Sequence, residues 1–145
     1  MGSIRFFHAD ELSHVRVRDL YDTSTDSDIT QKPPEDEMDG QSVGFIFPGN
    51  ESELQLFEVK CEPNMKFNTH THDEDQIFYV VAGDMFFGCR RFTTGSAIYV
   101  PGRTLYSFTS GPDGLRVLNF RPRRDTTYHT REDLIRERDL AGQSP

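Results

Sequence analysis

The residues with the clearest chemical potential are two histidines one residue apart, in the stretch His70-Thr71-His72-Asp73-Glu74-Asp75-Gln76. Residues two apart on a β-strand point to the same face, so His70 and His72 would present their imidazoles side by side. Gln76 keeps that parity and adds a side-chain oxygen. Two imidazoles and one oxygen predict a site for a divalent transition metal, namely Fe, Mn, Ni, Co or Zn. Because such histidine pairs also occur by chance, the surrounding pattern must decide.

The elements that would hold these residues are short runs rich in β-branched and aromatic residues. Eight such runs lie between Gln41 and Phe120, at 42–47, 53–62, 65–72, 76–82, 84–92, 96–100, 105–109 and 115–120. Turn residues rich in Gly, Pro, Asn and Asp separate them. Strands at this spacing predict an all-β domain, an antiparallel sandwich or barrel.

The segments that flank this region have a different character. Residues 1–40 predict an irregular N-terminal arm, in which the acidic stretch 22–40 contains seven acidic residues and one lysine. Few apolar residues occur in that stretch, so we expect a mobile loop or one held by edge contacts. Residues 121–145 form a C-terminal segment with a short helix over 131–140, capped by Thr130 with Asp133 three residues later.

Composition excludes several classes of partner. The 145 residues include 24 acidic and 16 basic side chains, a formal charge of −8 that argues against nucleic-acid binding. Mean hydropathy is −0.65, and no apolar run is long enough to cross a membrane. The N-terminus MGSIRFFHADEL lacks an apolar signal region, so we expect a cytoplasmic protein. Neither nucleic acid nor a membrane is therefore an expected partner.

The spacing around the histidines fits a longer pattern. Its matching positions, in order, are Asn64, His70, His72, Gln76, Gly83, Gly95 and Pro101. Over residues 41–120 the chain therefore resembles the cupin superfamily, whose motifs are written G-x5-HxH-x3,4-E-x6-G and G-x5-PxG-x2-H-x3-N. The resemblance implies a small antiparallel β-barrel or jelly roll, frequently dimeric, with a metal inside the barrel. The thin apolar face of the predicted C-terminal helix also suggests a homodimer.

Several positions depart from the cupin motifs. In the first motif Asn64 stands in place of the first Gly and Gln76 in place of the Glu. In the second motif Arg103 stands in place of the Gly after proline, Tyr106 in place of the third His and Ser110 in place of the Asn. Asn tolerates the left-handed turn conformation, and Gln is a neutral oxygen ligand. Tyr106 leaves three interpretations open: a metal ligand whose phenolate a cation favours, a neutral phenol that binds or protonates substrate, or an aromatic side chain that fills space.

The same parity argument predicts the pocket walls. Lys66 and Asn68 share parity with His70, although Lys66 could equally face a wet barrel mouth. The remaining candidates share parity with Gln76 or Tyr106, and are Phe78, Val80 and Phe108. These side chains predict a largely apolar, aromatic pocket.

The resemblance implies a small metal-dependent enzyme of dioxygenase, lyase or isomerase type, with His70, His72, Gln76 and Tyr106 as candidate ligands. An ion held by neutral ligands keeps its full charge, which favours a small anionic or enolisable oxygen-bearing substrate. Two alternatives remain open. One is a non-catalytic ligand-binding or sensory cupin, and the other is a metal-free isomerase or cyclase in which Tyr106 and a histidine act as acid and base.

Overall fold

The fold is built on one antiparallel sheet. The computed structural model describes residues 2–23 and 32–143. Its strands are β1 (Val15–Arg16), β2 (Gln41–Phe47), β3 (Gln55–Cys61), β4 (Gln76–Phe87), β5 (Arg90–Phe92), β6 (Ala97–Val100) and β7 (Thr109–Arg121). They are arranged in the order β1-β2-β3-β7-β4-β5, with β6 also paired to β4. The predicted all-β, antiparallel class is confirmed.

The two longest strands, β4 and β7, show why the sheet has an inside and an outside. On β4 the side chains of Phe78 and Val80 are buried, whereas Ile77 and Tyr79 between them are exposed. Their neighbour β7 alternates in the same way, with Val117 buried inside. Apolar side chains at every second position therefore build the core, which is the period expected of strands with one covered face.

The runs predicted at 76–82 and 84–92 do not form two separate strands. Gly83 has φ +77°, and a Cβ on it would lie 2.2 Å from the carbonyl oxygen of Gly114. This glycine absorbs an irregularity in the pairing of β4 with β7 instead of ending the strand, so β4 continues to Phe87. The chain then turns at Gly88 and Cys89 into β5, so the second run is a hairpin.

The predicted strand at 65–72 is also replaced by a looser arrangement. Isolated bridges join Lys66 to Thr109, His70 to Tyr106 and Thr71 to His129. The run at 105–109 is likewise mostly outside regular strands, since β7 begins at Thr109. Continuous parity is consequently lost over the residues that carry the histidines.

The N-terminal arm contains short helices, a turn of 3-10 helix at Ala9–Glu11, α1 (Val17–Thr23) and α2 (Glu35–Asp39). The predicted loop over 22–40 is therefore wrong for residues 22–23, which end α1, and for the five residues of α2, while residues 24–31 lie outside the described residues. Met38 is buried, and the buried Glu37 accepts a hydrogen bond from the main-chain N–H of Asn68. These contacts fix a segment whose composition alone indicates exposure.

The C-terminal helix α3 (Arg131–Gly142) confirms the predicted element. Thr130 caps it, with its hydroxyl accepting from the N–H of Asp133 while the Asp133 carboxylate accepts from the N–H of Thr130. In the described part of the chain, no helix has the length and apolar character needed to cross a membrane.

Candidate functional site

A cavity of about 340 Å³ opens on the inner face of the sheet. The strands β2, β3, β4 and β7 supply its walls, and residues of α1, α2, the segments 67–72 and 106–108 and the segment after β7 complete it. Its aromatic lining consists of Tyr21, Phe45, Phe57, Phe67, Phe78, Tyr106, Phe108 and Tyr128. Phe67 and Phe108 stack at 4.1 Å between ring centroids. The wall is therefore apolar and aromatic, as the sequence predicts for this pocket.

The two histidines are held on the wall by main-chain hydrogen bonds. His70 and Tyr106 exchange N–H···O bonds of 3.1 and 3.0 Å, and Thr71 between the histidines pairs in the same way with His129. The imidazole rings of His70 and His72 lie 5.0 Å apart between centroids and both line the cavity. The predicted juxtaposition of the two imidazoles is present.

Each imidazole is also fixed in one tautomer. Nδ1 of His70 lies 2.6 Å from the carbonyl oxygen of Asn68, and Nδ1 of His72 contacts the carbonyl oxygen of Thr127. A carbonyl only accepts, so Nδ1 carries the proton in both rings and Nε2 carries a lone pair. Burial lowers the pKa of His70 to about 4. Burial, and then the nearby Arg121 cation, lowers the pKa of His72, so both rings are neutral near pH 7.

A chain of hydrogen bonds runs behind these rings and orients Gln76. The guanidinium of Arg121 donates from Nη2 to Oε1 of Gln76 (3.2 Å) and from Nε to Oδ1 of Asn119 (3.2 Å). Asn119 Nδ2 in turn donates to the same Oε1 of Gln76 (3.0 Å). Because an arginine can only donate, these bonds fix both amides, and all three side chains are buried.

The chain ends at Tyr106. Gln76 Nε2 donates to the Tyr106 hydroxyl over 2.9 Å, so the hydroxyl oxygen acts as an acceptor and its own proton is free to point elsewhere. Burial raises the pKa of Tyr106 to about 12, which keeps the phenol protonated. Its ring lies 4.7 Å from the His70 ring and 6.4 Å from the His72 ring. Tyr106 is thereby arranged as a neutral hydrogen-bond donor beside two basic nitrogens.

Comparison with known proteins places this geometry in a fold family. No family model and no curated protein matches the sequence. Solved structures do match. The polyketide cyclase RemF from Streptomyces resistomycificus is 18% identical, with 90% of this chain and 89% of that chain covered at a TM-score of 0.63.

Two further structures agree. KdgF from Halomonas sp. is 23% identical over 84% of this chain and 96% of that chain, with a TM-score of 0.57. An RmlC-like cupin from Ralstonia eutropha is 13% identical over 97% of this chain and 87% of that chain, with a TM-score of 0.59. The chain has the cupin fold.

The turns of the cupin motifs are formed despite the substitutions. Asn64 and Arg103, which stand where the motifs have glycine, adopt positive φ values of 56° and 60°. Arg103 is held in place by Asp73, with Nη1 to Oδ1 at 2.9 Å. A Cβ on the neighbouring Gly102 would lie 2.1 Å from the carbonyl oxygen of Asp73. The second motif therefore packs directly on the turn that follows His72.

A metal inside a cupin barrel needs ligands with free lone pairs, and the donors present meet this need only in part. Both imidazoles fit, because a main-chain carbonyl holds Nδ1 and leaves Nε2 available. Gln76 does not fit in this arrangement, since Oε1 already accepts from two donors and one of them is the cation of Arg121. In the described ranges, no cluster of three His, Cys, Asp or Glu side chains completes a set.

The predicted pocket residues divide into two groups. Phe78 and Phe108 line the cavity, whereas Val80 is fully buried in the core behind it. Lys66 and Asn68 are exposed and do not line the cavity either. The parity that linked them to His70 fails because only isolated bridges hold residues 65–72.

Three residues that the sequence analysis missed contribute polar groups to the cavity. Arg121 follows Val117 and Asn119 at intervals of two on β7, so the period of the strand was a signal for its inward position. Glu37 and Tyr128 also line the cavity. They come from α2 and from the segment after β7, and no sequence pattern connects either one with the histidines.

Proposed function

We propose that this cupin is an enzyme that moves a proton at a carbon next to a carbonyl group, as an isomerase or a cyclase does. The observation that carries the proposal is the pairing of two neutral imidazoles with the neutral phenol of Tyr106 in one aromatic cavity. A base and an acid of this kind are what enolisation requires. That one structure of the same fold is a polyketide cyclase supports this reaction class.

Each group has a defined part in that chemistry. Nε2 of His70 or His72 takes the proton from carbon. The Tyr106 hydroxyl donates a hydrogen bond to the substrate oxygen, on which negative charge develops, and Gln76 holds the phenol in place from behind. The apolar wall keeps water away, which strengthens these interactions.

The test is solvent-deuterium exchange into enolisable acids. The protein is freed of metal by a chelator and mixed with phenylpyruvate or acetoacetate in D2O, and exchange at the CH2 group next to the ketone is followed by NMR. We expect the wild type to catalyse exchange. The exchange rate should fall at least tenfold in Tyr106→Phe and in at least one of the single variants His70→Gln and His72→Gln. If neither probe exchanges faster than with buffer alone, the enzyme proposal fails and a ligand-binding cupin becomes the better interpretation.

A metal-dependent cupin enzyme is the second candidate. The bonds from Nδ1 of His70 to Asn68 and of His72 to Thr127 favour it, because ligand histidines are typically held in this way. Gln76 would have to release Arg121 before it could contribute an oxygen. Elemental analysis of the protein as purified, with the double variant His70→Ala/His72→Ala as control, decides this. Metal present in the wild type and lost in the variant favours this candidate.

The outer face of the sheet supports a homodimer. Ile77 pairs with Tyr99 of β6 and with Phe120 of β7, and all three outward side chains are exposed. Tyr79, one position along the same face, is 47% exposed. An apolar row of this kind across three strands is typical of a covered surface. A second copy of the chain is the proposed cover, and sedimentation equilibrium measures it.

A further inference from the structure

The cavity is lined by Arg121, a buried guanidinium whose hydrogen-bond partners are all neutral groups. The Arg121 side chain is buried, with 7% of the residue exposed, and lines the cavity. Its three hydrogen bonds go to the amides of Asn119 and Gln76 and to the main-chain carbonyl of Asp125. Within residues 2–23 and 32–143, no carboxylate forms an ion pair with it. Buried charges in proteins are normally paired, so this arrangement is unusual.

The nearest carboxylate is engaged elsewhere. Oδ1 of Asp125 accepts from the N–H and hydroxyl of Thr127, and Oδ2 accepts from the N–H of Glu74. Asp125 therefore meets the guanidinium with its main-chain carbonyl. Its carboxylate also lines the cavity and attracts Arg121, but it forms its hydrogen bonds within the turn. Glu37 also lines the cavity, but burial raises the pKa of that carboxyl to about 7, so it is only partly charged at neutral pH.

The guanidinium retains unused donors. It has five N–H groups, and three bonds use one on Nε, one on Nη1 and one on Nη2. One N–H of each terminal nitrogen remains, which is the number a carboxylate accepts in a bidentate pair. The face of the group is supported by Phe57, whose ring centroid lies 5.3 Å from the guanidinium carbon. The cation is thus held in place before any ligand arrives.

A second polar group is left without a partner in the same cavity. The hydroxyl of Tyr128 is buried and has no hydrogen-bond partner of normal geometry in the described part of the chain. Burial raises its pKa, and a looser contact with the Asn68 side chain opposes that rise. The Tyr128 ring stacks on His70 at 4.7 Å. An unpaired buried hydroxyl costs about 1–3 kcal/mol, a cost that a polar atom of a ligand would remove.

From these features we infer that the cavity binds planar aromatic or unsaturated monocarboxylates, with the carboxylate on Arg121 and the ring among the phenylalanines. The two unused N–H groups of Arg121 match one planar carboxylate. The Asp125 carboxylate on the same cavity wall disfavours the second negative charge of a phosphate dianion. At about 340 Å³ the cavity is at the small end of ligand pockets, so a one- or two-ring acid is the expected size.

The inference rests on the proposed function only for the statement that the bound acid is a substrate, so its test measures binding without turnover. Calorimetric titration of the full chain compares 2-naphthoate with the neutral, equally shaped 2-naphthamide and with inorganic phosphate. We expect 2-naphthoate to bind the wild type at least tenfold more tightly than either. Equal affinity for acid and amide, binding of phosphate alone, or binding of none of the three overturns the inference.

Variants then identify the residue responsible. Arg121→Met should lower affinity for 2-naphthoate at least tenfold and remove the preference for acid over amide. Arg123→Met is the matched control, because Arg123 is exposed and pairs with Glu74 outside the cavity. It should leave both affinities unchanged. If Arg121→Met does not fold, the preference of the wild type decides alone. Binding of the acid without catalysed exchange would refute the enzyme and leave this site intact.

Discussion

The two faces of the sheet formed by β4 and β7 have opposite chemical characters. The inner face carries Gln76, Asn119 and Arg121, joined by hydrogen bonds in a buried row. On the outer face of the same strands, Ile77 and Phe120 are each 37% exposed. In an ordinary half-buried sheet the apolar residues face the core and the polar ones face water.

This partial inversion has a physical cost on both sides. Buried amides and a guanidinium lose their hydrogen bonds to water and must form others inside the protein. Exposed apolar side chains leave their surface in contact with water, which is unfavourable. The inner arrangement is explained if a polar ligand enters the cavity. The outer arrangement is explained if another surface covers it. Four changes separate these explanations, beginning with the largest expected effect.

Gln76→Leu should destabilise the protein most, by about 3 kcal/mol in the free energy of unfolding. The change removes one buried hydrogen bond each from Arg121, Asn119 and the Tyr106 hydroxyl. Urea unfolding followed by circular dichroism measures it. The neighbouring Ile77→Ala, on the outer face, is the control and should cost less than about 1 kcal/mol. Similar losses at both positions would show that the inner network contributes little.

Glu37→Gln should stabilise the protein in a way that depends on pH. Burial raises the pKa of Glu37 from 4.5 to about 7, so the folded state holds this proton more firmly than the unfolded state does. The stability that protonation supplies is complete below pH 4.5 and is lost as pH rises through about 7. Because glutamine does not ionise, Glu37→Gln keeps this stability as pH rises. Its free energy of unfolding should exceed that of the wild type by an amount that grows to the order of 2 kcal/mol by pH 8.

The matched control for that experiment is Glu35→Gln, in the same helix. The side chain of Glu35 is 84% exposed and its contact with Arg18 is long, at 3.9 Å. Thermal unfolding of the three proteins between pH 4.5 and 8 should show a widening gap for Glu37→Gln alone. A difference in stability between Glu37→Gln and the wild type that stays constant with pH would mean that burial does not disfavour the charged form of the Glu37 carboxyl.

Tyr106→Phe should cost about 1 kcal/mol of stability, because the amide of Gln76 loses its acceptor while the ring stays in place. Its larger effect should be functional. Deuterium exchange into phenylpyruvate should fall at least tenfold, and affinity for 2-naphthoate should stay within threefold of the wild type. Unchanged exchange would show that the phenol only fills space.

Tyr79→Ser, on the outer face, should alter the stability of a monomer by less than about 0.5 kcal/mol. Its expected effect is on assembly, because the apolar row proposed to meet a second copy loses a ring. Sedimentation should show a larger monomer fraction than in the wild type at the same concentration. A wild type that is monomeric at micromolar concentration would remove the explanation of the outer face.

Part of the inner face could be predicted from the sequence. Strand parity placed His70 and His72 side by side, and the resemblance to the cupin motifs placed Tyr106 beside them. The C-terminal helix followed from its capping residues in the same way. These predictions depend on local rules, namely the period of a strand and the chemistry of a helix end.

The rest depended on contacts that no local pattern contains. Lys66 and Asn68 were placed in the cavity by parity, but parity holds only along a continuous ladder, and isolated bridges allow the chain to rotate between them. Glu37 reaches the site from an acidic segment that composition assigns to the surface. Its burial follows from the shape of the barrel mouth, which becomes visible only when the whole fold is assembled.

The bond that orients His72 has a consequence for the order of folding. Its partner, Thr127, lies 55 residues further along the chain, and the bridge between Thr71 and His129 has a similar span. A nascent chain emerges from the ribosome N-terminal end first. His72 therefore leaves the ribosome well before the residue that holds its ring, and its imidazole acquires its final tautomer and direction only after residues 127–129 have been synthesised.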